Sequence, residues 1–397
     1  MKNVCEGIGG RIKAIPEDFV VEEIPKEKER EDEDQLIFWV EKRNWDTHDV
    51  IRILSRKLRV SRKRFGYAGT KDKFAIARQR FSVWDPTGEL EEKLKTVKLP
   101  DIKIYGFSRG YRLNLGDLEG NKFLITIRGI ELEESEIKER LQKIFTVLKN
   151  GIPNYFGEQR FGGIRAVTHL VGYEMLRGNF EEATKIYISK IFEEEAEDIK
   201  KIREFVAKNW GDRKAYLKAL NMFSKRFRYE RAMLQYLYVY PRDFVGALRR
   251  IPKKVRKLFI NAVQSYIFNE VLKKLVKKHG IEKLKGKTIK LVGYDTVFEN
   301  KEEDRETLKL LKTLSLSRED FLMPSMPEMK TTGGERKAII EVKDIKLLSI
   351  KEDELEKGKN AVKISFSLPP GSYATIVLAY IMGGCKDEKI QYPKLGK

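Results

Sequence analysis

The chain has 397 residues, of which 41% are hydrophobic, enough for a packed core and too many for a disordered polymer. Eighty Lys and Arg against sixty Asp and Glu give a formal charge of +20, which suits a polyanionic partner, nucleic acid being the commonest. Two cysteines at opposite ends, Cys5 and Cys385, exclude a disulfide framework, and three scattered histidines supply no zinc-ligand spacing. The high charged fraction, 35%, is typical of hyperthermophiles, but heat adaptation adds both signs and does not explain a surplus of twenty cations. No apolar run is long enough for a membrane span, and the first residues lack the apolar stretch of a secretory signal, so a cytoplasmic protein is expected.

In chain order, residues 11–40 predict a hairpin: "DFVVEEI" and "QLIFWVEK" are strand-like, and "PKEKEREDED" between them reads as a solvated tip. Apolar residues at helical spacing predict a helix over 47–59. "FGYAG" is a short strand entering a turn. "AIARQRFSVW" is a second strand, with Ala75, Ala77, Gln79, Phe81 and Val83 on one face. Asp72 falls on the loop between these two. Two further strands flank "GDLEGN". A helix, "ESEIKERLQKIFTVLKNG", follows, with Gly151 at its C-terminal end. From about residue 166 charge-dense helices dominate. The clearest carries an apolar stripe of Val255, Leu258, Phe259, Ala262, Tyr266 and Ile267 and ends at Gly280. Strand character returns near 345, and "AVKISFSLPPGSYATIVLAYIMGG" reads as strand, turn and apolar helix. The pattern predicts an α+β fold with a largely antiparallel sheet.

Four stretches could carry chemistry. In "RFGYAGTKDKFAIARQRF" one carboxylate, Asp72, lies among many cations. A turn aspartate paired with a surface lysine explains that alone; an ionised Asp in a basic groove could instead serve as nucleophile or base. The stretch lacks P-loop spacing. "IPNYFGEQRFGG" crowds Asn154, Tyr155, Phe156, Gln159, Arg160 and Phe161 between glycines, either as core aromatics or as a pocket that stacks a base, reads its edge and holds phosphate. "FSLPPGSYAT" offers Tyr373 on a proline-stiffened turn, and "KAIPEDF" sets Lys13 and Phe19 around a proline. The basic segments "KKLVKKHGIEKLKGK" and "SKRFRYER" read as an extension of an RNA-binding face, although any single lysine in them reads best as solvated helix surface.

Together with "LGDLEGNKF" and "LFINAVQSYIFNEVL", these stretches resemble the TruD family of tRNA pseudouridine synthases, in the family's order and over nearly the whole chain. The resemblance implies a pseudouridine synthase catalytic domain with a mixed, largely antiparallel sheet over 1–165 and 345–397. It is interrupted over 166–344 by a helix-rich α/β insertion domain, the TRUD domain. By the same resemblance Asp72 is the catalytic aspartate, and Lys13 a basic residue beside it that keeps the carboxylate charged. Phe156 stacks on the target base, and Asn154 and Phe19 touch the substrate nucleotide. Tyr373 stands where bacterial members have phenylalanine, and Gln159 and Arg160 join the substrate-binding set. The implied partner is tRNA, with uridine 13 of the D arm as the usual target. No cofactor, nucleotide or metal is expected, and a monomer is favoured. The rival readings are a non-catalytic RNA-binding protein that retains the fold and a methyltransferase, which would need a Gly-rich cofactor loop after a strand.

Overall fold

The computed structural model describes residues 5–26, 34–385 and 393–395. The expected hairpin tip lies, over 27–33, outside the described residues. The chain forms two compact units, Met1–Ile152 with Ile340–Lys389, and Pro153–Ile339 with Ile390–Lys397. Among the described residues no helix is long and apolar enough to cross a membrane.

The first unit is built on an eight-stranded sheet: β1 (Phe19–Pro25), β2 (Gln35–Arg43), β3 (Phe65–Tyr67), β4 (Ile76–Trp84), β5 (Ile102–Gly110), β6 (Leu118–Ile130), β7 (Lys343–Glu352) and β8 (Asn360–Leu368). Its order is β7-β8-β6-β1-β4-β2-β5, with β3 also on β4. Every pair is antiparallel except β1 with β4. The expected hairpin of β1 and β2 is therefore wrong: β4 lies between them, parallel to β1 and antiparallel to β2. The register places Arg78 of β4 opposite Glu22 of β1 and Glu41 of β2. Its guanidinium bonds both, at 3.1 Å and 2.7 Å. Those cross-strand pairs favour the inserted order over a local hairpin.

The helix Thr47–Leu58 forms as the spacing predicts. Asp46 caps it by accepting from the His48 N–H at 2.7 Å. Val50, Ile51, Leu54 and Leu58 then pack on Leu36, Phe38 and Val40 of β2 and Phe81 and Val83 of β4. The helix Glu134–Lys149 is followed by Gly151 at φ 102°, a backbone geometry that favours glycine. The turn after β8 leads into the apolar helix Ala374–Gly383.

The second unit is mostly helical and centres on Lys253–His279. The single stripe expected on this helix is wrong. Leu258 is exposed, and from Phe259 to Leu272 the helix is buried on nearly all sides, polar residues included. Gln264 donates to the carbonyls of Val292 and Thr332 at 2.7 Å and 3.0 Å, so its amide is satisfied inside the unit. The helix Thr168–Leu176 crosses so closely that a Cβ on Gly172 would collide with the Phe259 carbonyl, so only glycine fits. The unit starts at Pro153, ahead of the charge-dense helices, because Asn154 is tied to its far end. The Asn154 N–H donates to the Ala338 carbonyl at 2.8 Å and its amide to the Lys337 carbonyl at 3.0 Å.

Candidate active site

The loop between β3 and β4 carries Asp72. Lys42, the last inward-facing residue of β2, is fully buried beneath it. Its ammonium donates to the carbonyls of Trp45, Lys71 and Asp72 at 2.6, 3.4 and 2.9 Å. Gln79 donates to the Gly69 carbonyl at 3.2 Å, and the Thr47 hydroxyl accepts from the Lys71 N–H at 3.1 Å. The loop backbone is thus held from below at three residues, so the Asp72 carboxylate is presented by a fixed main chain.

Lys71 and Asp72 point opposite ways. Lys71 turns inward to Glu23 at 3.4 Å, and Arg80 meets the same carboxylate at 3.3 Å. The side chain of Asp72 is 39% exposed and receives the Lys13 ammonium at 2.6 Å. Among the described residues, the crowd of cations read from the sequence therefore resolves into one direct ion-pair partner, Lys13. Lys71, Arg78 and Arg80 are engaged with Glu22, Glu23 and Glu41.

Lys13 is itself held. It adopts φ 58°, a left-handed geometry that is rare and strained for a residue with a Cβ. Before it, Arg11 pairs main chain to main chain with Arg128 of β6, at 2.8 Å in both directions. After it, the Asp18 carboxylate accepts from the Ile15 N–H at 3.1 Å. Arg128 bridges Asp18 at 2.7 Å and Asp353 at 2.9 Å in a buried triad. Below, the Lys13 ammonium sits 4.1 Å from the Phe19 ring centroid, and Phe19 packs edge-on against Phe123. Phe19 is buried, so what it visibly does is support Lys13. Tyr373, partly buried, immediately precedes the helix Ala374–Gly383.

In the second unit a separate cluster forms around Phe156. Asn269 holds its backbone from both sides, accepting from the Phe156 N–H at 2.9 Å and donating to its carbonyl at 3.0 Å. The Arg336 guanidinium lies 4.0 Å from the ring centroid and Arg160 at 5.1 Å. Arg336 also bonds the Asn154 side-chain oxygen at 2.7 Å and its carbonyl at 2.9 Å. Phe156 and Asn154 are buried, Arg160 is partly exposed, and Gln159 is exposed on the short turn Glu158–Phe161. Sequence reasoning missed Lys42, Asn269, Arg336 and the Arg128 triad.

Comparison with known proteins decides the family. The sequence model described as tRNA pseudouridine synthase D (TruD) matches residues 3–287 and 281–381. The chain belongs to the TruD family. It is 36% identical over 419 residues to the "Probable tRNA pseudouridine synthase D" of Methanococcoides burtonii, covering 95% of this chain and 93% of that one. The relative of the same name from Archaeoglobus fulgidus is 43% identical over 276 residues, covering 69% and 64%. The crystal structure assigned as the tRNA pseudouridine synthase D (TruD) of Methanosarcina mazei superposes with a TM-score of 0.74 at 34% identity, covering 98% of this chain and 96% of that one. TruD proteins are enzymes, tRNA-modifying isomerases, so the chain is a tRNA pseudouridine synthase and tRNA is its substrate.

Two expected results follow from this TruD geometry. Burial lowers the Lys42 pKa from 10.5 to about 8, against the pull of Asp46 and Asp72. Between those values the unfolded chain binds the extra proton, so this group's contribution to stability rises with pH there. Activity is expected to run the other way. An ammonium has three N–H donors for three carbonyls, whereas a neutral amine has two and turns a lone pair toward the third. Pseudouridine formation should fall as pH rises through about 8. Lys42→Arg, which stays charged, should flatten that limb, and identical pH–rate profiles in the two folded proteins would count against the role. In the second unit, Asn269→Leu removes the side-chain amide that bonds both the N–H and the carbonyl of Phe156. About 2–6 kcal/mol of stability should be lost, at roughly 1–3 kcal/mol for each of the two buried groups that lose a hydrogen bond. Denaturant unfolding that shows less than about 1 kcal/mol contradicts the clamp.

Proposed function

We propose that this TruD protein isomerises uridine 13 in the D arm of tRNA, with Asp72 as the catalytic carboxylate and Lys13 as its positioning cation. The observation that carries the reading is the Lys13–Asp72 contact of 2.6 Å on a loop pinned by Lys42. The first unit is the proposed pseudouridine synthase catalytic domain and the second the proposed TRUD insertion domain.

Pseudouridine formation breaks the N1–C1′ bond and joins C5 to C1′. C5 loses a proton and N1 carries one in the product, so atoms and electrons balance with no oxidant. Asp72 would act as nucleophile toward the sugar or the base, or assist departure of the base. Lys13 would hold the carboxylate in place throughout. The uridine must first leave its stack, at a cost of a few kcal/mol. Gly69 suits approach by RNA: a Cβ there would meet no protein atom closer than the Lys71 ammonium at 3.8 Å, so the protein's own packing does not require glycine.

Asn154, Phe156, Gln159 and Arg160 are proposed RNA contacts of the second unit. For a base to stack on Phe156, a guanidinium must leave a ring face. Arg160, the more distant of the two and partly exposed, is the one to move, toward phosphate. Phe19 and Tyr373 are proposed contacts of the first unit. The test is an unmodified tRNA transcript incubated with the protein and mapped for pseudouridine by chemical probing, beside a transcript with cytidine at position 13. Modification of the first at position 13 and of no site in the second is expected. Modification elsewhere, equal in both transcripts, overturns the assigned target.

A further inference from the structure

The second unit carries a surface that the chemistry above does not use. From Arg213 to Arg250 the sequence holds ten Lys and Arg against two Asp and Glu, a net +8 of the chain's +20. Elsewhere exposed lysines sit one helical turn from a carboxylate, as Lys93 with Glu89, Lys143 with Glu139 and Lys208 with Glu204. Here both carboxylates are engaged. Glu230 is buried against Arg203 at 3.4 Å, and Asp243 accepts from the Tyr236 hydroxyl at 2.6 Å and the Gly246 N–H at 2.7 Å. Arginines lie over rings instead: Arg250 is 4.2 Å from the Tyr236 centroid and Arg213 is 5.6 Å from that of Tyr238.

The three tyrosines come from one turn. Tyr236 and Tyr238 end the helix Arg228–Val239, and Tyr240 follows, its ring 4.9 Å from that of Tyr236. Tyr238 is 36% exposed and Tyr240 55%. Arg213 begins one neighbouring helix and Arg250 follows another, so their cations reach the same turn from different elements. Arg242 and Arg250 are exposed, and among the described residues neither forms an ion pair. Asp243 adds one nearby negative charge, felt by Arg250, but exposed rings flanked by guanidiniums that make no ion pair among the described residues are the combination that holds unpaired nucleotides: π faces for bases, cations for phosphates.

We propose that the surface made by Tyr236, Tyr238, Tyr240, Arg213, Arg242 and Arg250 binds unpaired nucleotides of the tRNA substrate other than the reacting uridine. The proposal rests on the tRNA reading above. An acidic protein segment would meet the charge but has no use for three clustered rings.

The test uses the full-length chain and an unmodified tRNA transcript. Tyr238→Ala/Tyr240→Ala should weaken tRNA binding about tenfold at one fixed salt concentration. The rate at saturating tRNA should stay unchanged. Arg213→Gln/Arg250→Gln should weaken binding and reduce the slope of log affinity against log salt by about 1–2. Tyr240→Trp keeps a stacking ring, and its fluorescence should be quenched by tRNA. Affinity within twofold of wild type in both double variants overturns the proposal. So does quenching by poly-glutamate and not by tRNA, which makes the surface a protein-docking site. Wild-type turnover of the same tRNA runs alongside; its absence would overturn the proposed reaction while leaving the binding arms readable.

Discussion

Asp72→Asn is expected to lower the single-turnover rate of pseudouridine formation by at least about 10⁴, with tRNA affinity held within about twofold. That rate loss corresponds to roughly 5.5 kcal/mol of transition-state stabilisation. The substitution is nearly isosteric. Asparagine's oxygen still accepts from Lys13, and the loop is held through main-chain carbonyls by Lys42 and Gln79, which the variant does not touch. What is removed is the negative charge. Stability should hardly move, because the Asp72 side chain is 39% exposed and ion pairs of that kind contribute about 0–1 kcal/mol. A melting temperature lowered together with the rate would mean a damaged fold. A rate within tenfold of wild type would make Asp72 a turn residue.

Arg128→Ala is expected to have the largest effect on stability, about 3–5 kcal/mol, because it strands two buried carboxylates, Asp18 and Asp353. Burial pushes the Asp353 carboxyl upward. The N–H groups of Leu355 and Gly129 and the Arg128 guanidinium together outweigh that, and the pKa lies below the ordinary 3.8. A depressed folded pKa stabilises the fold above the ordinary value and loses that contribution as pH falls through the folded one. Without Arg128 the acid-unfolding transition should therefore move to higher pH. Activity should fall as well, since the Asp18 carboxylate that Arg128 holds fixes Ile15, two residues from Lys13. Arg128→Lys should not restore the protein, because an ammonium cannot reproduce a fork that reaches two carboxylates. Unfolding midpoints unchanged across the acid range would contradict the triad's role.

Local signals fixed much of this structure and long-range pairing the rest. Asp46 ahead of Val50, Ile51, Leu54 and Leu58 is enough to place the helix Thr47–Leu58. Nothing local says that β4 enters between β1 and β2, and proximity in sequence suggested a hairpin instead. Lys42 was legible and overlooked. Leu36, Phe38 and Val40 alternate inward along β2, and two residues on, the inward position is a lysine, which must find buried acceptors. Gln79 gave a matching signal among Ala75, Ala77, Phe81 and Val83. The direct partner of Asp72 was not legible locally, because neighbours in an extended loop face opposite ways: Lys71, next to Asp72 in sequence, turns to Glu23, and Lys13, 59 residues away, is the partner in space. Arg336 had no signal at all: it reaches Asn154 across 182 residues.

The most direct test of the central claim follows the C5 hydrogen. tRNA transcript labelled with tritium at C5 of its uridines is incubated with excess protein, and released tritium is counted per tRNA. Wild type is expected to release the tritium of one uridine per tRNA and Asp72→Asn none, because joining C5 to C1′ expels that hydrogen and needs the carboxylate. No release by wild type, or equal release by both proteins, would contradict the account.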